Sequence, residues 1–359
     1  MPTARISGTV RGTNDPCRAT RAWLLYHLCA GGWDIYNSNG DQRITLSNIE
    51  RKIVESDAFV FTPGATLEDL FKAVSIFVGY QTLDRNLAGK ATVILNNDGA
   101  WDRFFSVLEH LRELGTIKQN HRDFLLVAEN PEDVLPLLER VHEAGLPDAG
   151  REKEYEGESI RGDSFETPLP ADHAGSVCVF CSASLKDPAY LADGYELGKI
   201  LAENRLGCVS GAGKSGVMGE VVRGAFDAGG WTGGSNVPHI IELEGLPEGM
   251  SSFWLRGDIY TRMEVMIENS DAFVIFPGGS GTVQELLALL IFKQQGNPLM
   301  EGKPVVIFNR MDASGKRFFT PLIDLLEEHA VPGMFTVVDE LDEILPTLME
   351  ALAPESMAV

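Results

Sequence analysis

The sequence predicts an α/β protein in which a Rossmann-like open parallel sheet, flanked by helices, occurs twice. Three observations carry that expectation. Through the second half, short runs of Val, Ile and Phe alternate with segments of helical periodicity. Two glycine-rich stretches follow such runs directly. A series of matched segments recurs in order between the halves, at the spacing of a whole domain.

The elements of the second half read in sequence as a strand at 176–181, a helix around 188–204, a strand at 206–210 and a helix around 216–228. A strand near 237–242 and a helix around 257–268 come next, then a strand at 272–276 and a helix at 283–294. A strand at 304–308, a helix at 317–329 and a last strand–helix pair reach about 352. Apolar strands buried on both faces belong to parallel sheets covered by helices, and such sheets bind ligands at the carboxyl ends of their strands. The repeat is explicit. "SDAFVF" at 56–61 matches "SDAFVI" at 270–275, and "GKATVILNN" at 89–97 matches "GKPVVIFNR" at 302–310. "RFFSVLEHL" at 103–111 matches "RFFTPLIDL" at 317–325, and "EDVLPLLERV" at 132–141 matches "DEILPTLMEA" at 342–351. The second half holds extra residues before Ser270, expected as one more helix and strand. The polar, Pro- and Gly-punctuated stretch between the halves reads as a linker. The expected domains are therefore a degenerate copy at 1–147, a linker at 148–174 and a complete copy at 175–359.

Composition excludes several classes. The chain has 359 residues, 44% of them hydrophobic, enough for a packed core, and a net charge of −22. The basic footprint of a nucleic-acid binder is missing at that charge. No apolar run approaches a membrane span and the first residues lack a signal segment, so a cytoplasmic protein is expected. Five cysteines at irregular spacing suggest neither a disulfide framework nor a zinc site. Cys178 and Cys181 form C-x-x-C, but inside "SVCVFC", which reads as buried strand rather than as a redox pair. The seven histidines are scattered, and no metal or cofactor is expected.

Three motifs can carry chemistry. "SGAGKSGVMGEV" at 210–221 runs strand, glycine loop, helix, with G-x-G-x-x-G as Gly211, Gly213 and Gly216. Phosphate contact, tight helix–strand packing and a dinucleotide site all suit this spacing. Glu242 and Glu244 lie a little beyond the usual ribose-binding position. "FPGGSGTVQE" at 276–285 places Gly278, Gly279, Ser280 and Gly281 between a strand and a helix starting near Thr282. Bare amides at a helix start attract an anion. The competing reading is a capping box between Thr282 and Glu285, mirrored by Thr66 and Asp69 in "TPGATLED" at 62–69. Arg262 lies beside the apolar face of "DIYTRMEVMIENS", where it is either a solvated residue or a site residue; Asn48 holds the matching place.

In this order the motifs resemble the Lonely Guy (LOG) family of nucleoside 5′-monophosphate phosphoribohydrolases, long misnamed lysine decarboxylases. The hallmark P-G-G-x-G-T-x-x-E is complete from Pro277 to Glu285, and Arg262 stands fifteen residues before Pro277. "VCVFCSAS" at 177–184 and "GAGKSGVMG" at 211–219 resemble the first strand and the G-G-G-x-x-G-L-M-G segment. The resemblance covers about 172–352. Met263 stands where the family usually has lysine, and Ala212 replaces a glycine.

The resemblance implies hydrolysis of the N-glycosidic bond of a nucleoside 5′-monophosphate, AMP-like or a cytokinin ribotide. Arg262 and Glu285 would be catalytic. Gly278, Gly279, Ser280, Gly281, Thr282, Gly211, Gly213, Gly216 and Met218 would bind substrate. Arg262 would hold Glu285 ionised and donate towards the leaving base. The partner is a small nucleotide. The family's pairing through helices near the site implies an internal pairing of the two halves, with association of whole chains also allowed. The alternatives are a nucleotide or molybdenum-cofactor carrier of the same fold, which needs only the glycine cradle, or a dinucleotide oxidoreductase.

Overall fold

The computed structural model describes residues 2–7, 16–37, 46–97, 99–146, 164–312 and 314–352. The chain divides into two units, Met1–Glu154 and Tyr155–Val359.

The first unit runs β1 (Thr3–Ser7), α1 (Pro16–Ala30), β2 (Asp34–Asn37), α2 (Leu46–Val54), β3 (Ala58–Phe61), α3 (Leu67–Gln81), β4 (Ala91–Leu95), α4 (Asp102–Glu113), β5 (Leu125–Ala128) and α5 (Val134–Ala144). Its strands pair in parallel in the order β2-β1-β3-β4-β5. One face of the sheet, through Ala4, Ile6, Val60 and Val93, packs with Leu24, Leu28 and Leu138 of α1 and α5 in one apolar cluster.

The second unit runs β6 (Gly175–Phe180), α6 (Pro188–Glu203), β7 (Leu206–Ser210), α7 (Gly216–Asp227), β8 (Thr232–Asn236), α8 (Pro238–Glu244), β9 (Ser252–Leu255) and α9 (Ile259–Glu268). It continues with β10 (Ala272–Ile275), α10 (Ser280–Gln294), β11 (Val305–Phe308), α11 (Thr320–His329), β12 (Thr336–Val338) and α12 (Ile344–Leu352). The strand order is β12-β11-β10-β6-β7-β8-β9. The chain builds outward from β6 to β9, then crosses back to β10. The switch point of the sheet therefore lies between β6 and β10.

Deleting β8 and β9 from the second order leaves that of the first, and the same hydrogen bonds recur at matching places. Asp57 Oδ2 accepts from Thr3 N at 2.8 Å, and Asp271 Oδ2 from Ser176 N at 2.8 Å. Ser56 Oγ donates to Lys52 O at 2.7 Å, and Ser270 Oγ to Met266 O at 2.8 Å. Lys90 Nζ donates to Ile53 O at 2.7 Å, and Lys303 Nζ to Ile267 O at 2.9 Å. A shared topology with shared polar ties is what an internal duplication leaves behind.

Two expectations need correction here. The segment near 237–242 is helix α8, not a strand, and among the described residues the second unit gains two strands over the first, β8 and β9. "TGGSN" lacks β-branched bulk, yet all five residues of β8 are buried. Its glycines are there for close approach: a Cβ on Gly234 would lie 2.9 Å from Ala212 Cβ, and one on Gly233 2.5 Å from the Trp231 ring. Pro238 opens α8 at its first turn, where a missing N–H costs nothing. The expected linker lies outside the described residues as far as 163. From 164 to 167 the chain lies along β9. Phe165 exchanges both backbone bonds with Phe253, at 3.0 and 2.8 Å, and Thr167 N donates to Ser251 O at 3.1 Å. This covers a sheet edge that would otherwise present open ladder groups.

Candidate active site at the β6–β10 switch point

Three loops meet at the carboxyl ends of β6, β7 and β10. Ser182 N, just past β6, donates to Pro277 O of the β10 loop at 3.1 Å. Ser182 O accepts from Met218 N of α7 at 3.0 Å. One residue thus ties both glycine-rich loops together. Its hydroxyl also accepts from the amides of Ser184 and Leu185, at 3.1 and 2.9 Å, which holds the turn.

The glycines divide by role. Gly216 has φ +60°, and a Cβ there would lie 2.5 Å from Ala183 O, so packing demands glycine. A Cβ on Gly211 would collide with the Arg262 guanidinium, and one on Gly278 with the Thr282 hydroxyl. Gly281 is different: a Cβ there meets nothing within 4 Å. It lies in the first turn of α10, with open space beside it. Gly213 N donates to Met218 Sδ at 3.2 Å, so that methionine closes its own loop. Ala212, where the resemblance leads one to expect glycine, has φ +52°. A left-handed alanine costs about 1–2 kcal/mol. Its methyl is buried against Ile241 and Phe253, which offsets part of that strain.

Helix α10 begins at Ser280 with Gly279 as N-cap, and no side chain caps it. The competing capping-box reading of Thr282 and Glu285 therefore fails. The helix starts two residues earlier, so both residues lie inside it. The amides that open α10 have no carbonyl one turn back within the helix, and they carry the positive end of its dipole. Ser280, Thr282, Gln284 and Glu285 are all buried. Burial raises the Cys178 thiol pKa well above its ordinary value, and the Glu285 carboxylate adds to the rise, which places that charge beside β6. Cys178 and Cys181 are free thiols in the core.

Arg262 extends from the first turn of α9, whose N-cap Asp258 accepts from Tyr260 N and Thr261 N at 2.8 Å each. Its Nε donates to Ser235 O at 2.9 Å and one Nη to Gly211 O at 3.0 Å. Among the described residues its hydrogen bonds run to these carbonyls and not to Glu285, contrary to the expected pair. The arginine clamps the ends of β7 and β8. Asn236, fully buried at the end of β8, donates to Ala212 O at 3.3 Å and supports the same loop. Ser235 and Asn236 carried no motif, and Ser182 lay in "VCVFCSAS" without being singled out. Asp258 was findable, as an Asp directly before a helical segment.

A family model described as "Possible lysine decarboxylase" matches residues 218–348. A probable cytokinin riboside 5′-monophosphate phosphoribohydrolase of Oryza sativa subsp. japonica is 32% identical over 192 residues, 50% of this chain and 78% of that protein. The chain belongs to the LOG family. A cytokinin riboside 5′-monophosphate phosphoribohydrolase of Rhodococcoides fascians is also 32% identical, over 45% of this chain and 78% of its own length. Among solved structures, a molybdenum-cofactor carrier protein from Chlamydomonas reinhardtii is 20% identical with a TM-score of 0.38, covering 49% of this chain and 96% of that one.

With the LOG motif placed on α10, the reduced copy is re-registered. Helices α3 and α10 are both fifteen residues long, with N-caps Thr66 and Gly279. Counted from the caps, Asp69 stands opposite Thr282, and Lys72 stands opposite Glu285. The matching of Asp69 with Glu285 by their capping-box spacing is corrected. Asp69 belongs to a capping box that Thr66 does form: Thr66 N donates to Asp69 Oδ2 at 3.2 Å, and Asp69 N to Thr66 Oγ1 at 3.3 Å. Asn48, opposite Arg262, lies in α2, and its side chain is outside the described residues.

Proposed function

We propose that the second unit hydrolyses the N-glycosidic bond of a nucleoside 5′-monophosphate, releasing free base and ribose 5-phosphate. The observation that carries this reading is an uncapped, glycine-lined helix start at the switch point, with a buried carboxylate in its second turn and an arginine clamped nearby. The 5′-phosphate sits on the amides of Gly278, Gly279, Ser280, Gly281 and Thr282, favoured by the α10 dipole. Gly211, Gly213, Gly216 and Met218 shape the facing wall. Glu285 meets the ribose, where its charge stabilises the oxocarbenium-like transition state and orients the attacking water. The C1′–N bond breaks with its electron pair going to the base. Water forms the new C1′–O bond, and its proton leaves through Glu285 to the base. Arg262 donates to the departing base or the sugar.

The curated relatives, named for cytokinin riboside 5′-monophosphate, support the substrate class. Among the described residues no helix is long and apolar enough to cross a membrane. An internal pairing of the halves and a cytoplasmic location belong to the same proposal. The test is a panel of AMP, GMP, IMP, CMP and a cytokinin ribotide, scored for free base. Release from AMP or the ribotide is expected. Nucleotide binding without base release from any of them would leave a carrier and sink the proposal.

A further inference from the structure

The segment that covers the β9 edge does more than close the sheet. β9 is the last strand of the seven, and β8 is its one strand partner among the described residues. β8 is a weak strand by composition, with Gly233 and Gly234 inside it. This weak pair nevertheless frames Arg262. Ser235 of β8 supplies the carbonyl that its Nε grips. β9 leads through Arg256 and Gly257 to Asp258, the N-cap of the helix that carries the arginine. Arg256 N donates to Asn236 O at 3.0 Å and pins that turn to the end of β8.

The strap at 164–167 runs antiparallel to β9, in a sheet whose named strands all pair in parallel. Three of its residues add ties beyond the ladder. Ser164 Oγ accepts from Leu255 N at 3.0 Å, and Glu166 Oε1 from Trp254 Nε1 at 2.6 Å. Thr167 O accepts from Trp231 Nε1 at 2.7 Å and from Ser252 Oγ at 2.9 Å. Phe165 is 49% exposed, so hydrogen bonds more than burial hold the strap in place.

One line of bonds runs from the strap to the arginine. Glu166 accepts from the Trp254 indole, Trp254 O accepts from Ser235 Oγ at 2.7 Å, and Ser235 O accepts from Arg262 Nε at 2.9 Å. Trp254 and Ser235 are buried, where water competes little for these bonds. We infer that the strap is a positioning element of the site, with Glu166 acting on Arg262 through Trp254 and Ser235. The inference rests on the hydrolase reading of the second unit. Arg262 donates to a group whose charge develops in the transition state, so a displaced guanidinium lowers kcat more than it raises KM. The working part of the second unit therefore begins before β6, at the end of the segment that joins the units.

The test is made in the full chain. Phe165→Pro removes the amide that bonds Phe253 O. It should speed hydrogen exchange at the amides of Arg256 and Arg262 while leaving those of β10 protected. It should also lower kcat with AMP about tenfold, the order expected for one disturbed charge-assisted hydrogen bond, with KM nearly unchanged. Glu166→Ala should act in the same direction more weakly. Glu166→Gln, whose amide oxygen still accepts from the indole, should restore the rate. In an Arg262→Met background the strap variants should lower kcat no further, which a merely structural role would not produce. Unchanged exchange in Phe165→Pro, or equal kcat losses in both backgrounds, overturns the inference. Absence of base release from the wild type would sink the hydrolase reading instead, and exchange alone would then decide whether the strap holds the arginine's helix.

Discussion

Helices α3 and α10 have the same length and follow strands with nearly the same sequence, but they begin differently. α3 is closed by Thr66 and Asp69, which bond each other's backbone amides. α10 opens on Gly279 and carries no side-chain cap. One turn further in, α3 holds Lys72 against Glu68 and Ser7, whereas α10 holds the buried Glu285. A capped start is satisfied within the chain, and an uncapped one leaves amides for a ligand. The same contrast extends across the sheet. The second unit adds β8, whose end offers Ser235 O to Arg262, and the first unit has no counterpart of that strand among the described residues. The difference between a scaffold and a site is thus a few hydrogen bonds at one helix start and the strand that anchors one arginine.

The largest break in the contrast should come from Glu285→Gln. Removing the carboxylate charge should lower the rate of base release about 10²–10⁴-fold, read as kcat with AMP, with the melting temperature nearly unchanged. Arg262→Met should come next. It leaves the buried carbonyls of Gly211 and Ser235 without their donor, which costs about 1–3 kcal/mol in denaturant titration and lowers kcat/KM as well. If stability holds while activity falls, the clamp role is wrong and only the ligand contact stands.

Much of this was legible beforehand. Outside 232–255, the order of strands and helices in the second unit and the positions of both glycine loops followed from apolar periodicity and turn chemistry, and the repeat from matched segments. What misled was local ambiguity. Thr282 and Glu285 have capping-box spacing, but the glycines before them let the helix start earlier, at Ser280. "TGGSN" has no strand signature, because its place between Ala212 and two tryptophans selects small residues over β-branched ones. Arg262 was found by its spacing, but its partners are backbone carbonyls, which no side-chain pattern can announce.

A smaller effect separates the units by pH. His121 in the first unit is buried, stacks on Phe105 and has no partner for either ring nitrogen among the described residues. Burial lowers its pKa to about 4, and the neighbouring Arg122 adds to the shift. The unfolded chain, with an ordinary value near 6.5, binds that proton more readily. Stability should therefore fall as pH drops from about 6.5 towards 4. Thermal melts across that window should show the fall, and His121→Phe should flatten it. A parallel decline in wild type and variant would assign the effect elsewhere.

The smallest effects concern the two threonines. Thr66→Ala removes a true cap and should cost about 1 kcal/mol of stability without slowing base release. Thr282→Ala removes no cap. It should cost less stability and act on KM, because its hydroxyl lies over Gly278 at the cradle.

The central claim is that chemistry belongs to the open helix start and that Lys72, not Asp69, occupies the position of Glu285. The most direct measurement is ribose 5-phosphate formation from AMP by the full chain and by Glu285→Gln and Asp69→Asn at equal concentration. The account predicts near-complete loss in the first variant and a wild-type rate in the second, whose carboxylate caps α3 and accepts from Ser7 Oγ. A comparable loss in both, or a working Glu285→Gln enzyme, would contradict it.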